Sequence, residues 1–436
     1  MPLDWSSAVS GLEQGPGAGF YRPRYDRSIA GILPSALERI GIDAGNGVSR
    51  LPAGLVTGRR YKRLFFCLVD SLGLDDLLAR DGLLTRWVAR RGDWVTSVFP
   101  TITSSAICSI LHGVSPARHG IMGHKVYNAA AGGIVDMLTL KMEGQTVSLP
   151  DGGVDVSSWT RTQSLLSSAT VGGLPCFHVT QKELVGSGLS NFIYPPNVNR
   201  VSYHSPIEGF SKVKRLLERE ERAIVSFYTS SIDAAGHVFG ARSSEFAFQL
   251  GELERGLAWL VSSLSPRTRS ETLFALASDH GQCLFEPAKA IRLSFDRQRL
   301  YGHWRKLAPG LPAAAPGAHG FGHSGRVMHL YGDGAPPAEI RAALSADFEG
   351  RGTVLEPAEA SALAGREAGS SNHLEGELGA RVVLLGAGAS FELEVTPERS
   401  AATARNLDQL VSNHGSLTAQ ELLVPTVVAG LDELGE

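Results

Sequence analysis

Three apolar runs in this chain stop at acid, or at acid with imidazole. RLFFCLV at 63–69 is followed by Asp70, and AIVSFY at 223–228 leads to Asp233-Ala234-Ala235-Gly236-His237. LFALA at 273–277 leads to Ser278-Asp279-His280-Gly281, and a fourth loop carries Asn413-His414-Gly415. Three carboxylates and three imidazoles form a mixed donor set suited to two borderline divalent ions such as Zn²⁺. Two such ions about 4 Å apart can clamp both a nucleophile and a phosphoryl oxygen, and a hydroxyl beside them loses its proton more readily. Each group alone also has an ordinary reading. An Asp after a strand caps a turn, Asp-His before Gly forms one, and His237 faces solvent. The joint pattern favours metal chemistry, because the ends of parallel strands share one edge.

A hydroxyl to accompany these ligands lies in residues 98–113, VFPTITSSAICSILHG. A Pro turn and two threonines precede small and apolar residues that predict a helix ending near Gly113. The first turn of a helix presents unpaired N–H groups and the positive end of the dipole, which suit an anion. An ordinary N-cap is the alternative. Thr103 and Thr101 are the candidate hydroxyls.

These residues need a frame. An apolar run without polar alternation reads as a strand covered on both faces, and in open α/β sheets functional groups sit past the carboxyl ends of the strands. Further strands are expected at 94–99, 176–179, 192–194 and 423–429, with a strand-like piece at 137–140. Helices are expected at 34–40, after Gly73, at 208–222 and at 244–264. The pattern predicts an α/β fold with a doubly wound, mostly parallel sheet. Residues 1–60 form an N-terminal arm, 61–285 the core, 286–402 an inserted cap and 403–436 a return to the core. The cap is marked by a rise in Pro and Gly, strongest at 307–323, with short strands at 327–331, 382–385 and 391–395 and a helix at 337–348.

Composition excludes other classes. The 436 residues are 43% hydrophobic and carry a formal net charge of -3, so no general attraction draws the chain to nucleic acid or acidic lipid. No apolar run is long enough to cross a bilayer. The first twenty residues lack the basic start and apolar core of a secretory signal. Cys67, Cys108, Cys176 and Cys283 are scattered, as buried thiols are. A cytoplasmic protein is expected.

In their order along the chain the motifs resemble the alkaline phosphatase superfamily, and within it the nucleotide pyrophosphatase/phosphodiesterase branch. The motifs are Asp70 after its strand, Phe99-Pro100-Thr101-Ile102-Thr103, His119-Gly120-Ile121, Asp233-Ala234-Ala235-Gly236-His237, Ser278-Asp279-His280-Gly281 and Asn413-His414-Gly415. The resemblance implies an alkaline-phosphatase-like fold and two Zn²⁺, with Mn²⁺ as another possible ion. It implies a small phosphate ester or nucleotide-like molecule as substrate and Thr103 as the nucleophile. Asp70, Asp279 and His280 would hold one ion, which Thr103 also contacts, and Asp233, His237 and His414 the other. The implied reaction has two steps through a phospho-threonine, released by a water activated at the second ion.

Two departures from that branch bear on the substrate. The residue three after the nucleophile, commonly Asn, is Ala106, and Ser104-Ser105 replaces Phe-Pro. Ser105 and Lys125 are candidates for the lost donor. His124 and Lys125 could approach the phosphate, and His323 could reach in from the cap. His112, His119, His319 and His329 have ordinary core or loop readings. A phosphomonoesterase, a phosphonate hydrolase or a sulfatase on the same metals is the alternative, and a non-catalytic metal-binding scaffold a further one.

Overall fold

A computed structural model describes residues 3–306, 321–332, 335–367, 374–394 and 410–435. All seven residues of Arg63–Val69 are buried, and the strand lies at the centre of a seven-stranded sheet. Its strands are β1 (Arg63–Val69), β2 (Gly92–Thr96), β3 (Cys176–Gln181), β4 (Asn199–Tyr203), β5 (Ala223–Thr229), β6 (Thr272–Ser278) and β7 (Leu423–Gly430). They are ordered β2-β7-β6-β1-β5-β3-β4. β1 runs parallel to β5 and β6, and β3 to β4 and β5. β7 is antiparallel to both its neighbours.

The absence of polar alternation in β1 follows from this arrangement. Leu64, Phe66 and Leu68 enter one core with Leu33, Leu37, Ile110 and Leu111. Phe65, Cys67 and Val69 enter another with Trp87, Phe210, Leu217 and Leu257. Side chains alternate between faces, but helices cover both faces, so every position after Arg63 is apolar. This is the doubly wound α/β architecture expected.

A second seven-stranded sheet is antiparallel. It joins Gly352–Leu355, Arg381–Leu385, Val327–Leu330 and Gly322–Ser324 to Lys125–Asn128, Gly133–Asp136 and Lys141–Met142. The junction is the pairing of His323 with Lys125, so two stretches far apart in sequence build one sheet.

Three local expectations are corrected. Residues 137–140 are turns rather than a strand, because Asp136 Oδ1 accepts the N–H groups of Leu138 at 2.9 Å and Thr139 at 3.3 Å and ends the ladder. Residues 192–194 close a helix, Gly188–Ile193, whose N-cap Ser187 accepts the N–H of Ser190 at 3.2 Å; capping outweighs the local apolar run. β2 stops at Thr96, since Ser97 turns its N–H to Leu422 O at 2.7 Å. The helix Ala338–Phe348 and the strand Ser390–Leu393 lie near their expected places. Val395, His319 and most of the Pro- and Gly-rich stretch, 307–320, lie outside the described residues.

Candidate metal centre

β1, β5 and β6 end level, with Val69 opposite both Thr229 and Ser278. The next residues of β1 and β6 are therefore neighbours: Ser71 N donates to Asp279 Oδ1 at 2.9 Å. Asp233 sits in the first turn of the helix Ser231–Phe239, with His237 one turn later on the same face; Asp233 Oδ1 and His237 Nε2 are 3.2 Å apart. His414 follows the short strand Ser412–Asn413, which pairs with Cys283–Leu284 just after His280.

The six residues form two triads. Asp70, Asp279 and His280 offer ligand atoms within 4.8 Å of one another, as do Asp233, His237 and His414. All three imidazoles are oriented alike. Their Nδ1 atoms face carbonyl oxygens: Gly281 for His280 at 3.2 Å, Ser412 for His237 at 2.9 Å and Thr101 for His414 at 3.0 Å. A carbonyl only accepts, so Nδ1 holds the proton and Nε2 turns a lone pair toward the carboxylates, the second-sphere arrangement of a ligating histidine. The His280 and His414 rings stack at 3.6 Å and link the triads.

The electrostatics fit a cation. Asp70 Oδ1 and Asp279 Oδ2 are buried and have no hydrogen-bond partner, a costly state for a carboxylate unless a positive charge faces it. Burial and then the Asp279 and Asp233 charges push the Asp70 carboxyl well above its ordinary range. Burial raises Asp279 as well. Burial and the His280 ring push His414 well below the usual imidazole range. Asp233 and His237 are both opposed by burial, yet their mutual attraction prevails, holding the carboxyl low and the imidazole high. Bound cations would invert the penalty at Asp70 and Asp279.

Thr103 opens the helix Thr103–His112, and its Oγ1 lies 3.1 Å from His280 Nε2. Thr101 is occupied: its hydroxyl donates to Ser416 O at 2.7 Å and accepts Gly415 N–H at 2.9 Å. It thereby fastens the loop that carries His414.

A cavity of about 590 Å³ opens beside the triads and includes Thr103 and His124. His124 Nδ1 is buried without a partner, and burial with the nearby His280 pushes the imidazole down to about 3, so it is neutral at pH 7. Ser105, Lys125 and His323 are not among the lining residues. The Ser105 hydroxyl is buried in the helix without a partner, and Lys125 and His323 face each other across the second sheet. His119 bonds Ser109 Oγ at 2.8 Å and His112 bonds Thr162 Oγ1 at 2.9 Å, as core histidines do.

Two contacts to the triads have little sequence signal. Tyr228, the last aromatic residue of the β5 run, donates its hydroxyl to Asp70 Oδ2. Gln282 donates to Asp233 Oδ1 at 2.8 Å. A third feature is a buried clasp between Arg326 and Glu421. Arg326 N donates to His414 O at 2.8 Å, and its side chain also reaches Ala389 O at 3.1 Å. Glu421 accepts Ser416 N at 2.9 Å and Thr418 Oγ1 at 2.6 Å. Next to Arg326, Gly325 has φ 57°, and a Cβ there would collide with the His414 carbonyl. Glu421→Ala should leave a buried unpaired guanidinium and destabilise the fold by about 3–5 kcal/mol, measured by urea unfolding. Zinc titration should show weakening at the triad containing His414 and not at the other.

The comparisons with known proteins bear on the family and the fold. The profile of the type I phosphodiesterase/nucleotide pyrophosphatase family matches residues 85–302. That stretch holds Thr103, Asp233, His237, Asp279 and His280, and the fold adds Asp70 and His414 from outside it. A venom phosphodiesterase of Macrovipera lebetinus is 24% identical over 191 residues, 43% of this chain and 21% of the relative, so the match spans about a fifth of that protein. Murine ectonucleotide pyrophosphatase/phosphodiesterase 5 has a similar structure, with TM-score 0.59 at 15% identity, covering 83% of this chain and 87% of that one. Phosphonoacetate hydrolase from Sinorhizobium meliloti 1021, in complex with phosphonoformate, gives 0.56 at 20% identity, covering 86% and 92%. These likenesses establish the fold.

Proposed function

Because the chain belongs to the type I phosphodiesterase/nucleotide pyrophosphatase family, we propose that it hydrolyses phosphodiester or pyrophosphate bonds through a covalent intermediate on Thr103. The observation that carries this reading is the Thr103 hydroxyl standing 3.1 Å from a ligand atom of one triad while lining the cavity that both triads border. Asp70, Asp279 and His280 would hold one divalent ion, and Asp233, His237 and His414 the other. The mixed nitrogen and oxygen donors suit zinc. When bound, the ions supply Lewis acidity and lower the pKa of a coordinated hydroxyl.

Thr103 Oγ1 attacks phosphorus. An Oγ1–P bond forms, the ester bond opposite breaks, and the proton given up by Thr103 reaches the departing oxygen by way of solvent, expelling an alcohol or phosphate. Water then cleaves the Oγ1–P bond and restores the hydroxyl. His124, neutral and with an unpartnered Nδ1, is the group we assign beside the phosphoryl oxygens, where Ala106 offers no donor. Ser105, Lys125 and His323 act there only if the cavity rearranges.

Charge favours a diester over a monoester. Three carboxylates against two divalent ions leave one net positive charge, which one diester anion neutralises. The stretch 286–402 is the cap in this reading, supported by Gly325 at the cavity wall. A cytoplasmic location is supported by four cysteines that are all buried and unpaired. Among the described residues no helix is long and apolar enough to cross a membrane.

The test is a zinc-supplemented panel of a phosphodiester, a phosphomonoester, phosphonoacetate and a sulfate ester. The diester should have the highest kcat/KM, by at least about tenfold, equivalent to 1.4 kcal/mol. A monoester or phosphonate ranking first would replace this reading by the corresponding alternative, and a protein that binds two ions but turns over none would be the scaffold.

A further inference from the structure

The same cavity bears on which diester. Beyond the triads its lining is mainly apolar, formed by Leu138, Leu184, Leu189 and Ile193 with Tyr194, and the neutral Ser187 and Ser190 stand among them. The wall is a built feature. Ser187 caps its helix, and Leu189 N–H is tied to Leu138 O at 2.9 Å. Tyr194 stacks on His178 at 3.8 Å.

Among the described residues no Lys or Arg lines the cavity. The cations near it stand outside the lining: Lys125, next to His124, and Arg200, which donates to Val185 O and Tyr194 O, each at 3.2 Å, and to Asn191. His178 lines the cavity with its ring stacked on Tyr194, and burial pushes the imidazole down to about 3, so it is no cation at pH 7.

Resting on the hydrolase reading above, we propose that the phosphorus centre is the only anionic part of the substrate that this site recognises, and that its organic group is uncharged and apolar, an aryl or alkyl ester. A second anion on that group, a carboxylate or another phosphate, would be desolvated against leucine and isoleucine with no positive partner. An apolar group there loses water-exposed surface and gains affinity in proportion to it. The site differs in this respect from one built for a substrate with two anionic ends.

The test uses the full chain with zinc and three substrates sharing one leaving group, the 4-nitrophenyl esters of methyl, phenyl and 2-carboxyethyl phosphate. The phenyl ester should exceed the methyl ester in kcat/KM by tenfold or more, and the carboxyethyl ester should fall below the methyl one. Leu138→Lys, at an exposed position, and Leu184→Lys, at a half-buried one, should reverse the order of phenyl and carboxyethyl.

A binding arm separates this proposal from the hydrolase reading. Zinc-loaded Thr103→Ala protein, titrated calorimetrically, should bind phenylphosphonate at least tenfold more tightly than phosphonoacetate. That preference without turnover by the wild type would sustain the cavity assignment and overturn the hydrolase reading. Equal binding, or tighter binding of phosphonoacetate, overturns the proposal whatever the turnover.

Discussion

Thr103→Ala should fold, bind two zinc ions and lose at least about 10³-fold in kcat on whichever ester the wild type accepts, as removal of a nucleophile from a preorganised site commonly does. The ordinary alternative, a helix cap, would predict a loss of about 1 kcal/mol in stability and little change in turnover. The local geometry opposes that alternative. Ile102 occupies the N-cap position, and no side chain caps the first turn. The Thr103 hydroxyl instead meets His280, so its removal takes away no cap. Thr103→Ser restores a hydroxyl and should recover part of the rate. Thr101→Val should behave differently. The Thr101 hydroxyl ties Ser416 and Gly415, so its loss should appear first as weaker zinc binding at the triad containing His414. A dead Thr101→Val with both ions bound, beside an active Thr103→Ala, would move the nucleophile by two positions. If both variants turn over normally, water attacks phosphorus directly.

What could be read from the residues follows from how each feature is encoded. The strand ends at Asp70 and Asp279 were legible because a strand buried on both faces has no polar residue until it ends, so the first acid marks the edge. Asp233 and His237 were legible because four residues are about one helical turn. The Arg326–Glu421 clasp was not, since the partners are 95 positions apart and an isolated Arg in a Gly-rich stretch carries no sign of burial. Tyr228 was hidden for a related reason: in an apolar run its ring reads as core, and only the fold brings its hydroxyl to Asp70. The second sheet was read in two halves, because pairing between 125–128 and 322–324 depends on a chain reversal that no local pattern records. The strand expected at 192–194 failed where one serine, Ser187, decided the conformation of the six residues after it.

Removing a proposed metal ligand should change stability in opposite directions with and without zinc. Asp279→Asn is the informative change. Asp279 Oδ1 accepts Ser71 N–H at 2.9 Å and His280 N–H at 3.0 Å, and an asparagine oxygen can keep both. Oδ2, buried and unpartnered, becomes an amide nitrogen that cannot ligate. Without metal, the wild type holds the Asp70 and Asp279 carboxyls together in a buried site, where burial raises both and the Asp279 charge further raises Asp70. Neutralising Asp279 relieves that repulsion, so the chelated variant should unfold at higher urea than the chelated wild type. With zinc the order should reverse. An ion that binds only the folded chain stabilises it by about 2.7 kcal/mol when its free concentration is 100 times Kd, and the variant loses that contribution at one site. Elemental analysis should give close to two zinc ions per wild-type chain and one for Asp279→Asn; Asp233→Asn should also retain one, held at the other triad. A variant less stable than wild type under both conditions would make Asp279 a structural residue, and one that still binds two ions would remove it from the ligand set. The crossing of the two stability orders is the signature that separates a carboxylate kept for a cation from one kept for its hydrogen bonds.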